Sequence, residues 1–581
     1  MAVTRVSPKS QTPAVRSLGR VTAAPKVTAP LRRSTLRQAL HRQLSNLLGV
    51  PPPTTDFVVD RRLRVPMRDG VELLADHYVP RTAGASGPAG TLLVRGPYGR
   101  SWPFATMFGS VYAARGYHVL IQSVRGTFGS GGDFDPMVCE IDDGADTVAW
   151  LRDQPWFTGT FGTVGLSYLG FTQWALLTDP PPELKAAVVT VGPHDVSGPR
   201  WGTGSFGLND FLGWSDLVAH QEDPRRLRVL WRQARAQRLV DRAALGLPLG
   251  ESSRAMLADG APWFESWLEH PHAEDPFWTR LQLHAALERT EIPVLLLTGW
   301  QDLFLEQTLE QYDRLTSRGV TTGLTVGPWT HGQMMTKAGP TVVRETLDWL
   351  GTHLGGAPAQ RPAPVRIHVD GPADRGGWLE LSQWPPPMPQ RVLYLQPAGR
   401  LARDVPDSGG CATFVYNPAD PTPTVGGRLL SPAGGYRDDT ALARRADVLT
   451  FTGDPLPTDL YVVGTPALEL SHACANPHND LFVRISQVDQ HGRSRNVSDG
   501  YRASAPASGT VRIDLDPIAR VFPAGSRLRV LVAGGSHPRF VRNLGTGEPV
   551  VSATRVATAR HTVHLGESSR LILPAGDVMG L

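Results

Sequence analysis

Gly162-Thr163-Val164-Gly165-Leu166-Ser167-Tyr168-Leu169-Gly170-Phe171 is the stretch on which the fold turns. A short apolar strand, Gly162 to Val164, runs into a glycine-flanked serine, and a helical run, Phe171 to Leu177, follows at once. A serine at the tip of so sharp a strand-to-helix turn needs small neighbours, because the strained backbone leaves no room for side chains. The usual pattern is Gly-x-Ser-x-Gly; here Leu169 holds the last glycine position and Gly170 comes one residue later. Taken alone, the stretch fits either a nucleophile elbow or a plain glycine-containing turn.

The flanking sequence favours the elbow. Short apolar runs at Gly90 to Val94, His118 to Gln122, Ala186 to Val191 and Pro293 to Thr298 alternate with helical stretches. That alternation predicts a parallel sheet with helices on both faces. After the strand Val294 to Leu297 comes Gly299-Trp300-Gln301-Asp302, and after Gly323 to Val326 comes Gly327-Pro328-Trp329-Thr330-His331. Serine, acid and histidine, in that order and each at a strand's carboxyl end, make up the triad of an α/β-hydrolase. Ser167 is the expected nucleophile, His331 the base and Asp302 the acid that orients it.

Between 193 and 291 the strands vanish and Arg225 to Leu245 reads as an Arg-rich amphipathic helix, so a helical cap over the strand ends is expected. Gly355-Gly356-Ala357-Pro358 reads as a linker, followed by short alternating strands such as Val365 to Val369, Arg391 to Leu395, Ala467 to Ser471, Leu481 to Val488, Val511 to Leu515 and Arg527 to Ala533. These predict an all-β sandwich or jelly roll. The expected organisation is therefore a tail at 1–56, an α/β domain at 57–192 and 292–356, a cap at 193–291, and a β-domain at 357–581. The chain's 581 residues require such a division, and its 41% hydrophobic and 19% charged content is that of a folded protein.

Met1 to Thr55 holds nine Lys/Arg and no Asp or Glu, out of a formal net charge of +4. With Pro, Ser and Thr interspersed it reads as a solvated extension, with one short helix at Leu36 to Leu48, and no other feature supports nucleic-acid binding. No run approaches a membrane span and no secretory leader is evident. Cys139, Cys411 and Cys474 are too few and too scattered for a disulfide framework. A cytoplasmic location fits, with secretion left open, and so is the oligomeric state, a homodimer included.

With the triad in hand, the chain resembles the cocaine-esterase-like (CocE/NonD) hydrolases, relatives of the X-Pro dipeptidyl-peptidases. The resemblance runs from Val58 to the C-terminus. It is carried by Arg95-Gly96-Pro97-Tyr98, Gln122-Ser123-Val124-Arg125-Gly126, the elbow, Gly299 to Asp302, Gly327 to His331, Tyr416-Asn417-Pro418-Ala419-Asp420-Pro421, and Pro538-Arg539-Phe540 with Arg542-Asn543. The family's elbow is Gly-x-Ser-Tyr-x-Gly, which this chain matches. The resemblance implies a serine esterase with an oxyanion hole made by the Tyr98 hydroxyl and the Tyr168 backbone N–H, and a substrate pocket with Trp201, Trp214 and Phe304.

Related α-amino-acid ester hydrolases carry an acidic pair just after the triad acid, whereas here Leu303, Phe304 and Leu305 follow. A buried ammonium without a carboxylate would be costly, so an ester with an apolar or aromatic acyl group is expected. An amidase, acylase or dipeptidyl-peptidase using the same triad is the alternative, and an inactive binding protein relying on its β-domain is another. No cofactor or metal is expected: His472, His478 and Asp480 lack ligand spacing and read as surface or turn residues. The glycine-rich loop Arg125 to Asp135 fits no nucleotide-binding pattern and reads as structural, with Arg125 paired to Asp133 or Asp135.

Overall fold

The computed structural model describes residues 42–43, 45–46, 49–81, 88–406 and 409–576. The basic tail and most of the short helix expected before Pro51 lie outside these; 42–43 and 45–46 are helical.

Ten strands form the main sheet: β1 (Asp56–Pro66), β2 (Glu72–Arg81), β3 (Gly90–Gly96), β4 (Tyr117–Ser123), β5 (Phe161–Leu166), β6 (Leu184–Thr190), β7 (Val294–Gln301), β8 (Thr322–Thr330), β9 (Val365–Val369) and β10 (Gly377–Leu381). Their spatial order is β1-β2-β4-β3-β5-β6-β7-β8-β9-β10. Pairing is antiparallel between β1, β2 and β4, parallel from β4 to β9, and antiparallel at the β9–β10 edge. This is the architecture of the α/β-hydrolases. Strands β3, β4, β5 and β7 are buried along their whole length, which explains their reading as unbroken apolar runs. Helices α1 (Glu140–Arg152) and α2 (Tyr168–Leu177) follow β4 and β5.

Between β6 and β7 the chain is helical, with α3 (Leu208–His220), α4 (Arg226–Leu245), α5 (Leu249–Leu257) and α6 (Trp263–Glu269) as its main elements. An aromatic core of Trp201, Phe206, Phe211, Trp214, Trp263, Phe264 and Trp267 joins them. Helices α7 (Leu305–Ser317) and α8 (Gly339–His353) complete the layer after β7 and β8.

Not every strand beyond the linker expected at residue 356 leaves the main sheet. β9 and β10 lie beyond the linker, yet β9 pairs in parallel with β8, Val365 opposite Leu324. The physical reason is its alternation: Val365, Ile367 and Val369 are buried and join the same apolar cluster as Leu324 and Val326. The all-β unit proper starts at Gln390, and its strands wrap a separate core that includes Leu395, Phe451, Val483, Phe522 and Val563.

The β-unit is fastened to the cap. The Asn209 N–H donates to Pro538 O at 2.9 Å, the Val541 N–H to Phe206 O at 2.8 Å, and Arg542 to Leu245 O and Pro418 O. The Pro538-Arg539-Phe540 and Asn417-Pro418 motifs thus serve this joint.

Two expectations are corrected. Arg125 pairs with Asp143 (2.6 Å) and Asp69 (2.7 Å), while Asp135 faces Arg280 at 3.7 Å. The acids that fit Arg125 come from α1 and the β1–β2 turn rather than its own loop. His472 and Asp480 are buried: His472 Nε2 lies 3.0 Å from His561 Nδ1, and Asp480 accepts from the Tyr501 hydroxyl at 2.6 Å and from Asn543 at 2.8 Å. Among the described residues no helix is long and apolar enough to cross a membrane.

Candidate active site

Ser167 stands between β5 and α2 with φ 57° and ψ −121°, the strained conformation a nucleophile elbow demands. The departure from Gly-x-Ser-x-Gly has a steric cause. A Cβ on Gly170 would lie 2.5 Å from Gly192 Cα, so glycine is required at that position. The Leu169 side chain instead fills the space beside Gly96, where a Cβ would meet it at 2.4 Å. Gly96 opens the Gly-Pro-Tyr motif, so the serine turn and the Tyr98 loop are fitted to each other.

Asp302 ends β7, its side chain fully buried, and both of its oxygens are engaged. Oδ2 lies 2.6 Å from His331 Nδ1, and Oδ1 accepts the Phe304 N–H at 2.8 Å. His331 opens a short helix after β8, where Thr330 and Gln333 form a reciprocal capping box. The carboxylate draws the ring proton to Nδ1, leaving a lone pair on Nε2. The Phe304 ring meets the His331 imidazole edge-on at 5.6 Å.

Tyr98 follows β3. Its hydroxyl accepts the Trp214 indole N–H at 3.0 Å and lies beside Ser167. Burial pushes its phenol above the ordinary range, and Trp214 and Ser167 oppose the rise. An indole nitrogen can only donate, so the Tyr98 oxygen must accept there, and its own proton is free to point at the serine side.

Tyr168 occupies the first turn of α2, where backbone N–H groups have no partner within the helix. Its hydroxyl donates to Glu140 Oε1 at 2.8 Å and accepts the Met137 N–H at 2.7 Å. Burial first, then the Glu140 charge, keeps this phenol protonated, and burial likewise raises Glu140. Glu140 also faces Arg95 at 3.1 Å, and Arg95 Nε donates to Gln122 at 2.7 Å. Two of the motif residues named above, Arg95 and Gln122, therefore belong to a buried network behind the serine.

The candidate pocket residues divide. Phe304 and Trp214 stand at the centre, the Trp214 ring stacking on Tyr168 at 6.2 Å and 14°. Trp201 does not join them: its ring contact with Phe206 and its hydrogen bond to Trp267 O (2.8 Å) lie inside the cap. It lines a cavity of about 730 Å³ between cap, α7 and β-unit, together with Asp210, Leu303, Glu306, Arg428 and Arg539. That cavity comes near the triad only through Leu303 and Asp210.

Asp210 escaped the sequence reading, although it lies one turn before Trp214 on the same helix. It accepts the backbone N–H of Leu430 from the β-unit at 2.9 Å and the Asn209 side-chain N–H at 3.0 Å, while burial raises its carboxyl above the usual range. Nothing in the sequence near Leu430 signals this contact across 220 residues. Arg428, two residues earlier, pairs with Glu306 (2.7 Å) and Asp516 (2.6 Å).

His194, His284 and Glu310 bring potential ligand atoms within 4.8 Å of one another. The Gln311 amide, anchored on Gly192 O at 2.8 Å, donates to His194 Nδ1 at 3.1 Å and so puts the His194 proton on Nε2, where a metal would need the lone pair. Arg314 stands 3.2 Å from Glu310 and 3.3 Å from His284. The cluster is an ion-pair network, with Glu310 held down to about 2 chiefly by its bond to His194.

Comparison with known proteins agrees with this fold. Residues 69–333 match the family model of the X-Pro dipeptidyl-peptidase (S15 family), and 358–572 match that of the X-Pro dipeptidyl-peptidase C-terminal non-catalytic domain. The chain is 29% identical to the cocaine esterase of Rhodococcus sp. (strain MB1 Bresler), over 89% of this chain and 99% of that protein. An α-amino acid ester hydrolase structure superposes with a TM-score of 0.76 at 24% identity, covering 91% of this chain and 98% of the other. A CocE/NonD family hydrolase from Staphylococcus aureus does so at 0.65 and 18% identity, covering 90% and 94%. Over most of its length the chain is similar to the cocaine-esterase-like (CocE/NonD) hydrolases and the X-Pro dipeptidyl-peptidases, and it is a serine hydrolase of the esterase type.

Proposed function

We propose that the chain cleaves carboxylic esters bearing an apolar or aromatic acyl group, by two acyl transfers through Ser167. His331 Nε2 takes the Ser167 proton as Oγ adds to the ester carbonyl. The tetrahedral oxyanion accepts from the Tyr98 hydroxyl and the Tyr168 N–H, and collapse expels the alcohol, which leaves with the proton from His331. Water, deprotonated by the same imidazole, then releases the acid and restores Ser167. Asp302 holds the histidine tautomer throughout.

The observation that carries this reading is the Tyr98 hydroxyl, set beside Ser167 and fixed from behind by the Trp214 N–H, with Asp302 2.6 Å from His331. Trp214, Phe304, Tyr98 and Tyr168 give the serine aromatic surroundings. Asp210, the carboxyl nearest to hand, is pushed toward its neutral form by burial and already accepts from Leu430, so it is a poor holder for an ammonium group.

The test is intact-mass labelling of wild type and Ser167→Ala with a fluorophosphonate, beside turnover of p-nitrophenyl benzoate, acetate and the matched anilides. One adduct and benzoate turnover in wild type, both lost in the variant, are expected. Faster anilide than ester cleavage would transfer the assignment to amides, and absence of both adduct and turnover would refute it.

A further inference from the structure

Helix α4 of the cap has two working faces. Val240, Ala243 and Ala244 are its buried residues, and on that inner side Arg232 reaches Asp216 and the Met256 carbonyl. At 100° per residue, Leu227, Leu230, Trp231 and Ala234 fall on one stripe on the opposite side, which Arg238 and Asp241 continue toward Leu245. That stripe faces solvent: Leu227 is 81% exposed, Leu230 62%, Trp231 52% and Leu245 51%. Large apolar side chains lined up this way on an outer helix face are unusual without a partner.

The charges around the stripe say what the partner is. Between Arg225 and Val240 there are six arginines and no Asp or Glu. Arg226, Arg228, Arg235, Arg238 and Arg242 make no ion pair among the described residues, and the Arg235 guanidinium lies 4.3 Å above the Trp231 ring. A helix with an apolar stripe of Leu and Trp bordered by unpaired arginines matches the interface of an anionic bilayer, where acyl chains take the stripe and phosphates the guanidinium groups. A second copy of the chain is a poorer match, since packing two such helices face to face brings arginine against arginine. A nucleic acid would satisfy the arginines and leave the leucines in water.

We propose that the outer face of α4 docks the enzyme on anionic lipid surfaces. The docked orientation bears on catalysis, because Gln221 donates to Pro97 O at 2.8 Å and the Phe128 N–H donates to Glu222 at 2.9 Å. These bonds tie the α3–α4 connection to Phe128 and to Pro97, the neighbour of Tyr98; Trp102, a few residues on, is 82% exposed.

The experiment is flotation of the full chain with vesicles of phosphatidylcholine alone or with one-third phosphatidylglycerol, at low and high salt. Three proteins are compared: wild type, Leu227→Ser/Trp231→Ser, and Arg228→Gln/Arg235→Gln/Arg238→Gln. Wild type is expected to float with the anionic vesicles at low salt, and the arginine variant to bind roughly a hundredfold less tightly. The Leu/Trp variant should bind at least tenfold less tightly, and both variants should keep wild-type ester turnover and melting temperature, which shows that they are folded. Equal flotation of all three would put the binding elsewhere, for instance on the basic N-terminal stretch, and overturn the proposal. So would a wild type that fails to float. A wild-type dimer that the Leu/Trp variant converts to monomer, by sedimentation velocity, would make the face a contact between copies and refute lipid docking.

Discussion

Replacing Trp214 by Phe removes the indole N–H along with part of a buried ring, and it probes how the site is wired. In the structure that N–H donates to the Tyr98 hydroxyl at 3.0 Å, and the same hydroxyl lies beside Ser167. Removing an oxyanion donor outright, as in Tyr98→Phe, should lower kcat by about 10² to 10³, or roughly 3–4 kcal/mol. Trp214→Phe leaves the donor in place but frees it to turn away. The loss of one net hydrogen bond is worth about 1 kcal/mol, so kcat should fall about fivefold with KM nearly unchanged. The aromatic stack on Tyr168 at 6.2 Å is largely preserved by phenylalanine, so melting temperature serves as the control for packing. In the double variant the fivefold effect should disappear, because there is no hydroxyl left to aim. Steady-state kinetics on p-nitrophenyl benzoate for the four proteins completes the cycle. Independent effects, or a Trp214→Phe enzyme with raised KM and intact kcat, would refute the argument and make Trp214 simply a wall of the pocket.

Gly192→Ala should strike the elbow from behind, since its new Cβ would lie 2.7 Å from Gly170 Cα; a loss of about 1–3 kcal/mol in chemical denaturation, with reduced kcat, is expected, and a wild-type melt would count against the steric account of the displaced glycine. Burial lowers His77 to about 3, and its folded state therefore stays neutral while the unfolded chain takes a proton below about 6.5. The stability His77 confers is complete above that pH and drains away as pH falls toward 3. Between pH 7.5 and 5.5 the stability gap between wild type and His77→Gln should narrow by about 1.4 kcal/mol; denaturant titrations showing a constant gap would rule this out.

The parts of the molecule that could be read from sequence were those with a local signature. Ser167, Asp302 and His331 each follow an apolar strand, and the structure sets the last two 2.6 Å apart. Leu481–Val488 and Arg527–Ala533 form strands with the bounds their alternation gave. What escaped were pairings between segments far apart in the chain. β9 alternates like any strand of the β-unit, and only the vacant edge of β8 recruits it to the main sheet. Arg125 could not be matched to Asp143 before α1 was seen to deliver that carboxylate. Trp201 and Trp214 are alike in sequence, and only the packing of the cap separates the one buried against Phe206 from the one that reaches Tyr98. His472 and Asp480 look like solvent-facing polar residues until each finds its buried partner.

The contact between Leu430 and Asp210 has a bearing on biosynthesis. A ribosome emits Ser167 and His331 long before Leu430, and β9 and β10 emerge only after the glycine-proline linker. Until then the main sheet lacks an edge, and a cap carboxyl beside the triad lacks the N–H that holds it. The nascent chain therefore carries Ser167, Asp302 and His331 before the segment that meets Asp210 has been made.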